Sequence, residues 1–446
     1  MKTVNLGILV SSLLSAGTFD SIAAEKPNFI IILADDMGAG DLSCYGHPVI
    51  KTPHLDDMAK NGVRFTAFYA CGNVCSPSRA GLLTGRYQHR FNMEEVLLEK
   101  EAADRFRGLP AEETTFAEIL KNEGYATAVF GKWHLGSAPE FHPVKRGFEN
   151  FIGSISGNVD YQSHIDVLGN LDWWDGEQLK DETGYATHLI TKHSVKYIKR
   201  HKNAPFCLYV SYTAPHFPFQ GPKDPADRAI GKADPVIGSA KDRNRAYVEM
   251  VQEMDSGIGE IVDAVKSAGI LENTLIFFMS DNGPWIADWT GLTISTAKPF
   301  RGGKAQLWEG GSRVPGIVYW PERIPSGICN EPVSMLDVFP TLCKFAGIEV
   351  PANLDGIDIS TLLTKRDPLP DRALFWRAPG GAAIRCGSFK YMRERWNGKE
   401  YLFNLDDDSG EENNLSQSLP EKFQNLKQML TVWERAVDAD NAKYRQ

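Results

Sequence analysis

Cys75 opens a segment, Cys75-Ser76-Pro77-Ser78-Arg79, that continues through Leu82-Leu83-Thr84-Gly85-Arg86. Pro77 suits the first position of a helix and Ser76 can cap it, which puts Cys75 at a helix amino terminus. Free backbone N–H groups and the positive end of the helix dipole favour an anion there. Taken alone, the segment fits a thiolate nucleophile, a helix cap or a buried structural cysteine. Two other pairs, Asp35-Asp36 and Asp281-Asn282, offer only oxygen donors, with no His or Cys beside them. Hard donors of this kind suit Ca²⁺ or Mg²⁺ and do not favour zinc. Three carboxylates brought together would repel one another without a cation. Either pair taken singly also reads as solvated turn residues.

These residues follow apolar runs that can position them. Asn28 to Ala34 is continuously apolar after its first residue and ends in Asp35-Asp36. Leu275 to Ser280 repeats the design and ends in Asp281-Asn282-Gly283. Tyr125 to Phe130 leads into Gly131-Lys132-Trp133-His134, and Phe206 to Thr213 leads into Ala214-Pro215-His216. Runs of this kind are buried strands of a mostly parallel sheet. Amphipathic stretches, Phe116 to Glu123 and Tyr247 to Ala268, alternate with them, so the class is α/β. Sites in open α/β sheets form at the carboxyl ends of the strands. Four strands here end in residues able to do chemistry.

The 446-residue chain is long enough for a large domain and a smaller one. Its formal charge of -9 argues against non-specific nucleic-acid binding, although a local cationic pocket can still take an anionic substrate. Lys2, the apolar stretch Leu6 to Leu14 and the small pair Ala23-Ala24 read as a signal peptide over residues 1–24. The stretch is short for a membrane span, so no membrane insertion is expected. The mature chain is expected to begin near Glu25, in a secreted or periplasmic setting. The seven cysteines, at 44, 71, 75, 207, 329, 343 and 386, are odd in number, and Cys75 is the candidate left unpaired in an oxidising compartment.

Cys-x-Pro-Ser-Arg followed by Leu-Thr-Gly-Arg resembles the signature of the type I, formylglycine-dependent sulfatases of the alkaline phosphatase superfamily. Gly124-Tyr125-Ala126-Thr127, running on to Gly131-Lys132-Trp133-His134-Leu135-Gly136, is similar to that family's second signature. Asp35-Asp36, Ala214-Pro215-His216, Asp281-Asn282-Gly283, Gly302-Gly303-Lys304 and Glu309-Gly310-Gly311-Ser312-Arg313-Val314-Pro315 fall in the family's order. Asn73 stands where the family usually has a small residue, and it leaves the Cys-x-Pro-x-Arg core intact.

The resemblance implies hydrolysis of sulfate esters, with sulfated carbohydrate as the expected substrate. It implies that a formylglycine-generating maturation enzyme oxidises Cys75 to an aldehyde whose hydrate is the nucleophile. Cys75 would then join Asp35, Asp36, Asp281 and Asn282 around the metal, with Ca²⁺ favoured and Mg²⁺ the alternative. Arg79 would orient the hydrate, Lys132 and Lys304 would grip sulfate oxygens, and His216 would bind substrate and protonate the leaving alcohol. His134 would act on the hydrate, with Ser156 as a candidate hydrogen-bond partner and substrate contact. Competing readings are a phosphonate monoester or phosphodiester hydrolase of the same superfamily, and a secreted glycan-binding protein without catalysis.

The implied fold is a large mixed, mostly parallel sheet flanked by helices over residues 25–365, then a smaller C-terminal antiparallel sheet plus helix over 366–446. The sequence agrees. Asp337 to Gly347 reads as a helix and Pro351 to Pro370 as connecting chain. Short strands are expected at Leu374-Phe375-Trp376, Ala383-Ile384-Arg385, Phe389-Lys390-Tyr391 and Tyr401-Leu402-Phe403, with a helix over Glu421 to Ala436. In the polar, aromatic stretch Asp160 to Glu177, Trp173 and Trp174 could stack on sugar rings, but packing of a hairpin is the favoured reading. Asp160 and His164 are weaker candidates for substrate contact.

Overall fold

The computed structural model describes residues 26–98, 104, 106–232, 238 and 241–444. The expected signal peptide lies outside the described residues. The main strands of the larger sheet are β1 (Asn28–Ala34), β2 (Val63–Tyr69), β3 (Ala126–Gly131), β4 (Asn150–Gly153), β5 (Phe206–Ser211), β6 (Thr274–Ser280) and β7 (Arg313–Tyr319). Their order across the sheet is β2-β7-β6-β1-β5-β3-β4, extended at both edges by short strands to eleven in all. From β6 to β4 neighbouring strands run parallel, whereas β7 is antiparallel to both β6 and β2. The sheet is therefore mixed and mostly parallel, as expected. Strands β2, β4 and β7 add to the four anticipated from the apolar runs.

All seven residues of β1 are buried. Phe29, Ile31 and Leu33 join one apolar cluster, and Ile30, Ile32 and Ala34 join the other. Successive side chains of a strand point to opposite faces, so a strand covered on both faces must be apolar throughout. The long helix Arg243–Ser267 covers one face through Met250, Met254, Ile258 and Ile261, while Leu82 and Leu83 of helix Cys75–Thr84 pack on the other. Each large apolar side chain so buried contributes roughly 1.5–3 kcal/mol.

Register is what aligns the site. Ala34 pairs with Ser280 across β1 and β6, so the next residues, Asp35 and Asp281, leave the sheet side by side. Leu33 and Gly131 both pair with Ser211, which sets the ends of β3 and β5 level with them.

The second sheet contains β8 (Ala373–Ala378), β9 (Gly381–Cys386), β10 (Phe389–Glu394) and β11 (Glu400–Asn404), antiparallel and in sequential order. Ile384, Tyr391 and Leu402 cluster with Leu426, Leu430 and Val437 of helix Pro420–Asn441, which outruns the expected Glu421 to Ala436. Trp376, Met392 and Phe403 pack with Tyr69 and Trp308 of the larger unit.

Two expectations need correction. Pro351 to Pro370 is not only connecting chain, because it contains helix Ser360–Lys365. Leu362 and Leu363 are buried there and the Asp358 carboxylate accepts from Ser360 N at 2.8 Å, so packing and this local bond overrode a turn-rich composition. All seven cysteines are unpaired, so an odd count does not single out Cys75. Among the described residues no helix is long and apolar enough to cross a membrane.

Candidate active site

Helix Cys75–Thr84 begins at Cys75, with Val74 in extended conformation as the flanking residue. Ser76 is not the cap. It lies inside the first turn, where its hydroxyl accepts from Leu97 N at 3.1 Å. Pro77 is the third helical residue and not the first, still within the turn whose N–H groups lack helical partners. Cys75 is buried at the positive end of the helix. Burial pushes its thiol above the usual range, with Lys132 and Lys304 opposing and Asp35 and Asp281 adding to the shift. The unmodified side chain is accordingly a poor thiolate.

The Cys75 sulfur and one carboxylate oxygen each of Asp35 and Asp281 lie within 4.8 Å of one another. Asp35, Asp36 and His216 form a second group of the same tightness. Asp36 holds a left-handed backbone, φ 63°, uncommon outside glycine. Burial, with Asp35 next in effect, pushes the Asp281 carboxyl up to about 6. Oxygens are left over at the centre. Asp35 Oδ1 and Asn282 Oδ1 are buried without a hydrogen-bond partner. Asn282 spends its amide N–H groups on Asp36 Oδ1 at 2.8 Å and Gly283 O at 2.9 Å, which directs Oδ1 elsewhere. Orphaned buried acceptors among crowded carboxylates are what a hard divalent cation would satisfy. The donor set fits Ca²⁺ or Mg²⁺.

Three cations interleave with these acids. Lys132 Nζ lies 2.5 Å from Asp35 Oδ2, and Lys304 Nζ lies 2.6 Å from Asp36 Oδ1. Burial is the largest single influence on Lys304 and opposes its charge, but Asp36, Cys75 and Asp35 together outweigh it and raise the ammonium above its ordinary range. Arg79 donates through Nε and Nη2 to Asp281 Oδ2, and through Nη1 to Lys132 O and Ser211 Oγ. Nη2 also stands 3.6 Å from Asp35 Oδ2. Arg79 thus positions metal-ligand candidates and the Lys132 backbone, and its effect on Cys75 runs through them and through its charge.

The two histidines are held by backbone carbonyls. His216 Nδ1 donates to Phe217 O at 2.6 Å, turning Nε2 toward Asp36 Oδ2, 3.6 Å away. His134 Nε2 donates to Leu97 O at 2.8 Å, making Nδ1 the ring's basic nitrogen. Burial lowers both imidazoles well below their usual range; Lys132 adds to this at His134, and Asp36 counters it at His216. Two glycines permit the packing. A Cβ at Gly131 would sit 1.9 Å from Ser211 O, and one at Gly157 would sit 2.4 Å from the His134 ring.

Residues 27–348 match the Sulfatase family. The chain belongs to this family. It is 34% identical to N-acetylgalactosamine-6-sulfatase of Canis lupus familiaris, over 87% of this chain and 76% of that protein. It is 33% identical to arylsulfatase A of Bos taurus, over 91% of this chain and 87% of that one. Its fold is similar to the crystal structure of Ps i-CgsB in complex with k-i-k-neocarrahexaose, with a TM-score of 0.83, 29% identity and 94% of each chain covered. The chain is a sulfatase, and its reaction class is hydrolysis of sulfate esters.

In this sulfatase the strand ends gather Asp35, Asp36, Asp281, Asn282, Cys75, Arg79, Lys132, Lys304 and His216 at one place. His134 joins them within electrostatic reach of Lys132 and Arg79. Ser156 is tied by its backbone N–H to Asp172 Oδ2 at 2.8 Å and lines a small cavity with His134 and Leu97. Trp173 is buried and stacks on His164 at 4.4 Å, and Trp174 stands in a short hairpin strand, so this pair packs rather than presents a sugar platform. The Asp160 carboxylate accepts from Gln220 Nε2 and from the N–H groups of Gln162, Ser163, Asp227 and Arg228; it organises loops.

Ser211 was not anticipated. Its hydroxyl accepts from Arg79 and donates to Lys132 O at 2.7 Å. A polar residue ending the apolar β5 was the available signal. Glu309, which opens the Glu-Gly-Gly-Ser-Arg motif, lies away from the acids. It pairs with Lys390 of β10 at 2.9 Å and accepts from Tyr69 at 2.5 Å, joining the two sheets.

Proposed function

We propose that this sulfatase hydrolyses sulfate esters of carbohydrates, using a formylglycine made from Cys75 beside a divalent cation. The carrying observation is the buried Cys75 sulfur among Asp35, Asp281, Lys132 and Lys304. A formylglycine-generating enzyme would exchange sulfur and two hydrogens of the side chain for one oxygen. Carbohydrate is favoured because Ps i-CgsB was solved with neocarrahexaose and a relative is named for N-acetylgalactosamine 6-sulfate. A cleaved leader over residues 1–24 and a secreted or periplasmic location accord with such a substrate, and a division near residue 365 would separate the two sheets.

Asp35, Asp36, Asp281 and Asn282 would hold the cation, Ca²⁺ or alternatively Mg²⁺. When bound, the cation supplies positive charge that offsets the carboxylates and stabilises anionic oxygen in the transition state. Lys132 and Lys304 then orient the sulfate. One hydroxyl of the hydrated aldehyde attacks sulfur and gives its proton to the neighbouring Asp281 carboxylate, while the bond from sulfur to the sugar oxygen breaks. His216 acts in its imidazolium form, which Asp36 Oδ2 at 3.6 Å favours against burial; Nε2 gives that oxygen its proton while Nδ1 stays committed to Phe217 O. His134 Nδ1 takes the proton of the second hydroxyl. The C=O bond re-forms, the bond from that carbon to the sulfate oxygen breaks, and sulfate leaves. A serine would instead leave a sulfate ester that needs a second attack at sulfur; the hydrate makes that step an elimination.

A positioned acid contributes roughly 10²–10⁴. One charge-stabilising donor contributes about 10²–10³. The rate must therefore come from the cation, both lysines and both histidines acting together. Mass spectrometry of the peptide carrying Cys75 tests the nucleophile: active protein with only the thiol there refutes it. Parallel kinetics on matched sulfate monoesters, phosphonate monoesters and phosphodiesters test the substrate class, and a strong preference for phosphorus would favour the superfamily alternative.

A further inference from the structure

The loop between the metal-ligand pair Asp281-Asn282 and the sulfate lysine Lys304 carries Trp285 and Trp289. Their rings meet edge to face, 5.8 Å between centroids. Both reach Phe217, at 6.2 Å and 6.0 Å, and Phe217 stacks on His216 at 4.1 Å. Lys304 Nζ lies 5.1 Å from the centre of the Trp285 ring. One continuous set of rings therefore runs outward from the proton-donating histidine. It ends at Trp289, which is 52% exposed, beside the 41% exposed Ile286.

An indole half exposed at the end of a packed aromatic row presents apolar surface to solvent. Its position says what it would meet. His216 hands its proton to the oxygen that joins sulfur to the substrate's carbon skeleton, so that skeleton must lie on the His216 side of the sulfate. Phe217 stacks on His216 and Trp289 stands against Phe217, so these rings adjoin the proton-donating histidine. A pyranose ring presents a face of C–H groups that packs flat on an indole while its hydroxyls remain hydrated.

We propose that Phe217, Trp285 and Trp289 form a platform for the sugar ring that bears the sulfate, with Trp289 as the stacking face. The platform rests on the sulfatase reading above and deepens it. It assigns the sugar-recognising aromatics to this loop and not to Trp173-Trp174. The loop's two ends tie recognition to chemistry, because Asn282 and Lys304 bracket it. Phe217 anchors it to the acid.

Steady-state kinetics on the matured, metal-loaded enzyme with a panel of sulfated mono- and disaccharides test this. Trp289→Ala raises KM for the preferred sugar about tenfold and leaves kcat within about twofold, the signature of lost binding common to ground and transition states. Trp289→Phe keeps KM within about threefold because a ring remains. Inhibition by inorganic sulfate, which has no ring, is unchanged in both variants, and their melting temperatures match the parent. An unchanged KM in Trp289→Ala overturns the platform. So does an equal weakening of inorganic sulfate, which would show that Trp289 acts only by placing Lys304. Parent enzyme that releases sulfate from none of the sugars fails at the earlier step and overturns the functional reading itself.

Discussion

Arg79 and Asp281 stand 202 positions apart, and two N–H groups of the one guanidinium converge on a single carboxylate oxygen of the other at 3.0 and 2.8 Å. The second Asp281 oxygen accepts from Asp36 N at 3.2 Å. Arg79 thereby fixes a carboxylate of the candidate cation site. Lysine has no planar fork to reproduce this. Arg79→Lys is expected to lower kcat/KM or metal affinity about 10–100-fold, as loss of a residue that orients a ligand does. Arg79→Ala strips a buried carboxylate of its partner and is expected to cost about 3–5 kcal/mol of stability. Sulfate-release kinetics and thermal unfolding read the two effects separately.

Removing divalent cations should both inactivate and destabilise the protein, because Asp35, Asp36 and Asp281 are left facing one another in a buried site. Restoring Ca²⁺ to a hundredfold excess over its dissociation constant should return about 2.7 kcal/mol. A chelated sample whose melting temperature does not respond to added Ca²⁺ or Mg²⁺ would contradict the metal assignment.

In the proposed reaction His216 protonates the leaving oxygen, so its value depends on how badly that oxygen needs a proton. His216→Ala should cost roughly 10²–10⁴ in kcat on a sulfated sugar, whose alkoxide is a poor leaving group. The loss should be much smaller on an activated aryl sulfate such as nitrophenyl sulfate. Equal losses on both substrates would assign His216 to binding alone.

Lys390 lies buried between Glu309 at 2.9 Å and Glu411 at 2.8 Å, and it belongs to β10 while Glu309 belongs to the larger unit. Lys390→Ala takes from buried Glu411 its paired cation and leaves Glu309 with Arg313, at 3.3 Å. The expected loss is about 3–5 kcal/mol, measured by denaturant unfolding. Lys390→Ala with parental stability would mean the ion cluster does not join the sheets.

His89 links the same two units by donating from Nε2 to Arg377 O at 3.0 Å and packing edge-on to Trp433. Burial lowers its imidazole to about 4 from an ordinary value of 6.5. A folded value below the unfolded one means the folded state holds the neutral ring. The stability this confers is present above about pH 6.5 and is lost as pH falls toward 4, in total roughly 3 kcal/mol. His89→Gln should flatten that part of the stability–pH curve; identical curves for variant and parent would refute the assignment.

Much of the fold was legible because the interiors of β1, β5 and β6 are continuously apolar, as strands buried on both faces tend to be. Strands β2 and β7 were not, since Arg64, Thr66 and Arg313 interrupt their apolar pattern. The start of helix Cys75–Thr84 was misjudged by two residues. Ser76 and Pro77 carry the local signals of a helix start, but the long-range bond from Leu97 N claims the Ser76 hydroxyl. Trp173-Trp174 pack, as the favoured sequence reading had it. Trp285 and Trp289 passed unnoticed because aromaticity shows nothing of exposure until the chain is folded.

The sequence by itself determined which chemistry was available: hard oxygen donors after apolar strands, a cysteine opening a helix, and lysines and histidines in motifs that resemble one family. Those are properties of residue type and local order, and they survive without coordinates. Tertiary structure alone decided which oxygens lack partners, which nitrogen of each histidine is tied to a backbone carbonyl, and that Arg79 bonds Asp281 and Ser211. It also decided that Glu309 serves the junction of the sheets. Each of these depends on contacts between residues far apart in the chain, and strand register and packing, not local spacing, bring such residues together.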